Sequence, residues 1–209
     1  MLNFKIILIF TINLFFLSMF SCLAQSRNNS KNLFLIGLNV VDDSFTSKNN
    51  FFNSKEEWNT VFYPSFFSYN RKVSNNLNLD LSFSLNHYNK GKLVDGNFII
   101  SNKKYSAFDF GLKYNLNTIN NDVEFIPGIV PIVSFGFGLT SIDNKLRPTL
   151  NYGAGFYFWF SSLNSCDCKI YDHLLDNFGL LFQTHAKSSF EQKIYGNQIQ
   201  HVFGLVYRK

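Results

Sequence analysis

The sequence predicts an all-β fold, an eight-stranded antiparallel up-and-down barrel that crosses a membrane, and three observations predict it. Aromatic residues are abundant, with 26 Phe, 10 Tyr and 2 Trp making up 18% of the 209 residues, while charged residues reach only 16%. An ordinary domain has a charged share of about 25%. Apolar and polar residues alternate with a period of two over most of the chain, which is typical of strands with one polar and one apolar face. An apolar leader precedes these segments.

The alternation is clearest in Asn76–Tyr88. Every second residue from Leu77 to Leu85 is apolar there, and the residues between them are Asn, Asp or Ser. The same pattern recurs in residues 108–116, 150–160, 178–185 and 199–208. Three less regular segments, Asn32–Val41, Trp58–Asn70 and Glu124–Thr140, raise the number of predicted strands to eight. Proline removes a donor from the strand ladder, so Pro127 and Pro131 predict a bend or bulge in the last of these.

An even number of neighbouring antiparallel strands can close into a barrel, and lipid requires closure because it cannot pair the backbone groups of an open edge. The Leu and Phe face is expected to point outward, with Asn, Asp, Ser, Lys and Gly lining the interior. Eight strands enclose only enough space for side chains, so a wide aqueous pore is not expected. Aromatic residues near strand ends are predicted to form interfacial girdles; they are Trp58, Tyr69, Tyr88, Tyr105, Trp159, Phe160 and Tyr207.

Residues 1–24 are typical of a signal peptide. Lys5 precedes an apolar run from Ile6 to Phe20, and small residues follow it, so cleavage is predicted between Ala24 and Gln25. The run of about 15 residues is short for a retained span, which needs about 20. An alternative is lipidation of Cys22, because residues 19–22 loosely resemble a lipoprotein cleavage box. The predicted organisation is therefore a signal peptide (1–24), a short segment (25–31) and a barrel (32–208).

With the amino end in the periplasm, the outward loops are predicted at Asp42–Glu57, Asn89–Asn102, Ser141–Lys145 and Ser188–Gly196, and the inward turns at Arg71–Asn75, Asn117–Asp122 and Ser161–Asn177. The formal charge is +5, but the basic residues are spread singly along the chain. Without an arginine-rich stripe or tract, binding of nucleic acid is not predicted. The charges are instead expected on solvated loops.

The carboxy-terminal third of the chain resembles the membrane barrel of OmpA-like outer-membrane proteins of Bacteroidetes. The resemblance lies in residues 151–160 (NYGAGFYFWF), 177–184 (NFGLLFQT) and 200–207 (QHVFGLVY), with weaker matches at residues 36–42, Trp58-Asn59 and 76–85. It implies the membrane barrel alone, without the peptidoglycan-binding domain that full-length relatives carry. The segment 203–209 also resembles a carboxy-terminal signal for the barrel assembly machinery, although Arg208-Lys209 is atypical.

Candidate chemistry is sparse. Cys166 and Cys168 lie in the enlarged Ser161–Asn177 turn, where they are expected to be free thiols, with a disulfide as the alternative. A metal site would need Asp167, Asp172 or His173 in addition, and none is predicted. His185 is expected to hydrogen-bond inside the barrel. His201 is expected near a rim.

These features predict a non-enzymatic barrel of the outer membrane with a structural or surface-interaction role and no cofactor. Its expected partners are outer-membrane lipid, the assembly machinery during insertion, and an unidentified periplasmic or extracellular protein. One alternative is a lipid-modifying barrel enzyme, for example one using His201 with Ser188 or Ser189. The other is a secreted soluble β-barrel that binds an apolar ligand.

Overall fold

The computed structural model describes residues 32–42, 57–94, 97–116, 128–163, 177–190 and 197–209. Their strands are β1 (Asn32–Asp42), β2 (Trp58–Thr60), β3 (Phe66–Lys72), β4 (Leu77–Tyr88), β5 (Leu93–Val94), β6 (Asn97–Phe98), β7 (Lys103–Asn115), β8 (Ile129–Ile142), β9 (Lys145–Trp159), β10 (Phe178–Ser189) and β11 (Asn197–Arg208). A 3-10 helix, Phe160–Leu163, follows β9. Within the described ranges, no helix has the length and apolarity to cross a bilayer. The predicted signal cleavage site, Ala24–Gln25, lies outside the described residues.

The strands form a closed antiparallel barrel. Each long strand pairs with its neighbours in the order β11-β10-β9-β8-β7-β4-β3-β1, and β11 pairs back onto β1. This closing seam runs from Leu33–Arg208 to Asp42–Ile199 without interruption. β2 and β3 pair with different parts of β1 and so occupy one place in the wall, which therefore has eight positions. The predicted eight-stranded fold is confirmed.

The predicted faces are also confirmed, as β4 illustrates. Asn78, Asp80 and Ser84 point inward and are buried, whereas Phe83 points outward and is 41% exposed. The strand pairing sets such outward residues side by side around the barrel, so that they form a continuous apolar belt. At a rise of about 3.4 Å and a tilt of about 40°, the apolar run Leu77–Leu85 spans roughly 20 Å along the barrel axis. That is close to the ~25 Å apolar band of membrane barrels.

An aromatic girdle borders the belt at the end of the barrel where β1 begins and β11 ends, and Asn32 and Lys209 there are the termini of the barrel. The rings of Phe34 and Tyr69 lie 5.3 Å apart, and those of Phe178 and Tyr207 lie 5.1 Å apart. The Tyr69 hydroxyl donates to Asn32 Oδ1 at 3.1 Å, so its polar tip is bound at the strand ends. A ring with an apolar body and a polar tip is suited to a boundary between lipid and water.

Two apolar clusters fill the interior near its ends. The cluster at the end with the termini consists of Leu33, Leu35, Phe66, Ile132, Tyr157, Trp159, Leu181, Val202 and Val206. The cluster at the opposite end consists of Val41, Tyr88, Val94, Ile99, Tyr105, Ala107 and Ile142. Val94 and Ile99 belong to the β5–β6 hairpin region, which the sequence did not predict within the Asn89–Asn102 loop. This region therefore packs over the far mouth of the barrel.

The prediction that Tyr88, Tyr105 and Trp159 belong to interfacial girdles was wrong. The three side chains point inward and are 0%, 2% and 9% exposed. Tyr88 and Tyr105 pack edge to face in the far cluster, and Trp159 stacks on Tyr157 in the near one. Closeness to a strand end does not distinguish the two faces, because the direction of a side chain depends on its parity along the strand.

Two strand predictions also need correction. The predicted segment Trp58–Asn70 is not one strand, because the chain leaves the wall after Thr60 and rejoins it at Phe66. The bend or bulge predicted at Pro131 is absent, since β8 pairs with β9 residue for residue from Ile129 to Ile142. Pro131 is tolerated because the pairing of β7 with β8 stops one residue away, at Asn115–Ile132. Pro127 lies outside the described residues.

Replacing Gly37 is expected to weaken barrel closure. Gly37 faces Gly204 across the β1–β11 seam, and a Cβ added to Gly37 would run into Phe203 O and the Gly204 Cα. Gly37→Val is therefore predicted to destabilise the barrel by about 1–3 kcal/mol or to prevent its closure. The measurement is the fraction of refolded protein that migrates as a compact band on an unheated gel. Leu38→Val, at the neighbouring lipid-facing position, is the control, and equal behaviour of the two variants would contradict the prediction.

Candidate functional site

A polar belt with two ion pairs occupies the middle of the barrel, between the two apolar clusters. Lys187 Nζ lies 2.6 Å from Asp109 Oδ2, and Lys113 Nζ lies 3.2 Å from Asp80 Oδ1. The lysine side chains are 1% and 0% exposed. A charge at such depth is tolerated only beside an opposite charge, so each lysine depends on its carboxylate.

Neutral side chains complete the coordination of the two carboxylates. Asn151 Nδ2 donates to Asp109 Oδ1 at 2.7 Å, and the Ser68 hydroxyl donates to Asp80 Oδ1 at 2.5 Å. Gly138 leaves the space that Asp109 and Asn151 occupy, since a Cβ there would overlap both side chains. A cavity of about 20 Å³ between Asp80, Asp109 and His185 has room for about one water. This belt is suited to holding the strands together from inside, and its cavity is too small for a larger substrate.

An asparagine cluster seals the wall where β2 and β3 are separated. Asn86 Nδ2 donates to Asn39 Oδ1 at 2.8 Å and to Asn59 O at 2.9 Å, and Ser65 Oγ accepts from Asn39 N at 3.0 Å. All four residues are at most 2% exposed. Side chains thus replace the strand pairing that the excursion of residues 61–65 interrupts. Beyond an excess of asparagine, nothing in the residue order predicts this role.

A second cluster lies on the outer face, where the apolar belt ends on β10 and β11. Phe182 pairs with Phe203 inside the belt, and Thr184 pairs with His201 one step above them. His201 Nδ1 lies 3.0 Å from Thr184 Oγ1, and its Nε2 lies 3.4 Å from Asp42 Oδ2. The ring of Trp58 lies 5.3 Å from that of His201. In this cluster, the imidazole of His201 therefore lies between the Thr184 hydroxyl and the Asp42 carboxylate and contacts both.

His185 and His201 both lie where the sequence predicts them. His185 points into the polar belt, with its Nδ1 3.5 Å from Ser134 Oγ. His201 lies near the rim, but it does not meet Ser188 or Ser189. Ser188 pairs with Asn197, four residues from His201, which is about 13 Å along the strands. Thr184 and Asp42 are its actual partners, and only the strand register could have identified them.

The other predicted site residues lie outside the described residues. They are Cys166 and Cys168 and the candidate ligands Asp167, Asp172 and His173. Among the residues that the structure does describe, no group of three or more His, Cys, Asp or Glu side chains is arranged to hold a metal ion.

Comparison with solved structures identifies the fold. The amino-terminal barrel domain of Pseudomonas aeruginosa OprF superposes with a TM-score of 0.50 at 14% identity, covering 87% of this chain and all of that domain. The outer membrane protein OprG of the same organism gives a TM-score of 0.51 at 9% identity, covering 86% and 96%. The chain has the fold of the small outer-membrane barrels. No protein-family model and no curated protein matches the sequence, and the Bacteroidetes origin stays a prediction.

Breaking the Asp109–Lys187 pair is expected to destabilise the barrel strongly. Lys187→Met leaves a buried carboxylate without its cation, which costs roughly 3–5 kcal/mol, and Asp109→Asn leaves a buried cation with a similar cost. The double variant is expected to recover much of this loss, because neither charge remains. Urea-induced unfolding of the barrel from vesicles measures all three.

The exposed pair Lys103–Asp143 is the matched control. Its atoms lie 3.3 Å apart and the Asp143 side chain is 58% exposed, so Asp143→Asn is expected to change stability by less than about 1 kcal/mol. If the double variant were as unstable as the sum of the two single variants, the ion pair would not be the source of the effect.

Proposed function

We propose that the protein is a small, non-enzymatic barrel of the outer membrane with a structural or surface-interaction role, exported through a signal peptide that is cleaved after Ala24. The observation that carries the proposal is the inverted polarity of the closed barrel. Side chains such as Phe108, Phe135 and Phe137 are 51–57% exposed on its outer face, while Lys113 and Lys187 are buried in its interior.

This polarity argues against the soluble-barrel alternative. A soluble barrel encloses its apolar side chains and exposes its polar ones, and soluble monomers rarely expose apolar patches larger than a few hundred Å². Here the apolar residues surround the whole wall. A lipid environment covers that surface, and closure of β1 on β11 leaves no unpaired edge within the lipid.

The end of the barrel opposite the termini is the proposed interaction surface. The β5–β6 region packs Val94 and Ile99 onto the barrel mouth, and the same region leaves Phe98 and Ile100 67% and 86% exposed. These two apolar side chains lie beyond the belt, where water and not lipid is the alternative contact. They are therefore the described residues best placed to meet an extracellular partner.

The location is tested by fractionation of the native host. The protein is expected in the outer-membrane fraction, with its first residue at Gln25 and with faster gel migration before boiling than after it. Mature protein that begins with an acylated Cys22 would replace the cleavage assignment and leave the barrel intact. Recovery in the soluble fraction without a mobility shift would contradict the proposed membrane location.

A second candidate function, hydrolysis of an ester bond in a membrane lipid, is favoured by the Thr184–His201–Asp42 contacts on the outer face. Such a reaction needs donors for the oxyanion as well as a nucleophile and a base. The backbone groups around Thr184 and His201 are engaged in strand pairing on both sides, which leaves no free pair of N–H donors beside the hydroxyl. This absence of donors in the described wall favours the non-enzymatic role.

Mass spectrometry of outer-membrane lipids separates the two candidates. Cells that produce the wild type and cells that produce Thr184→Val or His201→Ala are expected to have the same acyl composition. A lipid species with one acyl chain fewer in the wild type alone would establish the enzyme, provided that both variants still show the heat-dependent band shift.

A further inference from the structure

A lateral groove lies on the outer face of β4, β7 and β8, on the side of the barrel where the wall is interrupted. It has a volume of about 220 Å³, equivalent to about seven waters at ~30 Å³ each. Its lining includes Tyr63, Leu85, His87, Lys104, Ser106, Ser141 and Asn144. Two features produce the groove. One is the small side chains on β7 and β8, and the other is the excursion of residues 61–65 from the wall.

The small side chains are Ser106 and Ser141. They pair with each other across β7 and β8, and Ser106 pairs with Leu85 on β4. One step nearer the termini, the outward positions of β7 and β8 hold the large pair Phe108 and Leu139. The surface is therefore recessed just where the large apolar residues stop.

The excursion of residues 61–65 supplies one wall of the groove. The chain leaves the barrel after β2 and returns at Ser65, whose backbone N donates to Gly37 O at 2.8 Å and whose O accepts from Leu85 N at 2.8 Å. Between these anchors Tyr63 is 46% exposed and lines the groove, and Phe62 projects fully into the surroundings. An unbroken strand would leave no such projecting wall.

The level of the groove on the barrel indicates what surrounds it. Along β4, apolar Leu85 is followed by His87 on the same face, and along β7, apolar Phe108 is preceded by Ser106 and Lys104. The same change occurs on the other side of the barrel, where Phe182 and Phe203 give way to Thr184 and His201. The groove therefore lies at the height where lipid chains end and lipid headgroups begin.

The polar groups of the groove form a donor-rich set. Lys104 and His87 face each other across β4 and β7, and the Ser106 and Ser141 hydroxyls and the Asn144 amide lie beside them. Among the residues that the structure describes, no carboxylate lines the groove, and Asp143, the neighbour of Asn144 in the chain, is paired with Lys103 at 3.3 Å. Within the described part of the chain, the side chains of Lys104, His87, Ser106 and Ser141 make no hydrogen bond or ion pair with other residues.

We infer that this groove binds the phosphate group of a lipid in the outer leaflet, with the acyl chains of that lipid lying along Leu85 and Phe62. Phosphate is an anion that accepts hydrogen bonds, and a lysine with neighbouring hydroxyl and amide donors satisfies it. A phosphorylated glycolipid of the outer leaflet has this chemistry at this height. The inference rests on the outer-membrane location proposed above.

The test compares refolded wild-type barrel in detergent micelles with bisphosphorylated lipid A, with chemically dephosphorylated lipid A, or with inorganic phosphate. The readout is the temperature at which the compact gel band is lost. The phosphorylated lipid is expected to raise this midpoint by several degrees, whereas the dephosphorylated lipid and inorganic phosphate have little effect. An equal effect of inorganic phosphate would indicate a site for soluble anions and would overturn the lipid assignment.

Variants assign the effect to the groove. Lys104→Glu, which reverses the charge, and Ser141→Phe, which fills the recess, are each expected to abolish most of the shift. Lys145→Glu is the matched control, because Lys145 is an exposed lysine of the same rim outside the groove. An equal loss of the midpoint shift in Lys145→Glu would mean that the lipid effect depends on general surface charge, and it would overturn the inference.

The two proposals fail in different ways. A wild type without a heat-dependent band, or one found outside the outer membrane, would refute the proposed location. An intact outer-membrane barrel with the same midpoint in both lipids would refute the groove alone.

Discussion

Closure of the backbone hydrogen-bond network is the constraint on which the rest of this structure depends. In lipid, an unpaired N–H or C=O group costs several kcal/mol, and a single open strand edge would expose a row of them. The β1–β11 seam removes that edge over its whole length, and it ends where Asn32 and Lys209 exchange backbone hydrogen bonds of 3.1 and 2.9 Å. The described wall is interrupted between β2 and β3, where Asn86 donates to Asn39 Oδ1 and to the backbone oxygen of Asn59. These asparagine contacts therefore compensate for part of the strand pairing that the wall lacks there.

Closure also determines the character of the interior. A ring of eight strands leaves a space that side chains fill, and its middle is sealed at both ends by apolar clusters. Charges in such a space cannot be hydrated from outside, so Lys113 and Lys187 are each placed against a carboxylate from another strand. The pairs connect β4 to β7 and β7 to β10 across the barrel. The Asp109–Lys187 pair thus ties β7 to β10, which are not neighbours in the wall, whereas Asp80 and Lys113 belong to the adjacent strands β4 and β7.

The sequence predicts the wall far better than the contents of the barrel. Alternation in segments such as Asn76–Tyr88 depends only on local residue order, so it identified the strands and their outward faces. The partners of Asp109 depend on register, because Lys187 lies 78 residues away along the chain. The prediction that Tyr88, Tyr105 and Trp159 lie in the girdles was wrong for a different reason. It depends on closeness to a strand end, whereas the side that a ring faces depends on its parity along the strand. His201 was placed correctly near the rim, but its contacts with Thr184 and Asp42 follow from the pairing of β10, β11 and β1.

The two ends of the outer face differ in chemistry, and the difference follows from where the apolar belt stops. At the end with the termini, the belt passes into tyrosines whose hydroxyls bind strand-end residues such as Asn32, and the connection from β3 to β4 is short. At the opposite end, the belt passes into Thr184, His201, His87 and Lys104, which are polar or ionisable groups on the outer face itself. A purely structural barrel needs only the first kind of boundary. Because the second kind places hydrogen-bond donors, a recess and exposed apolar rings at one height, this rim has the chemistry that the proposed interactions require.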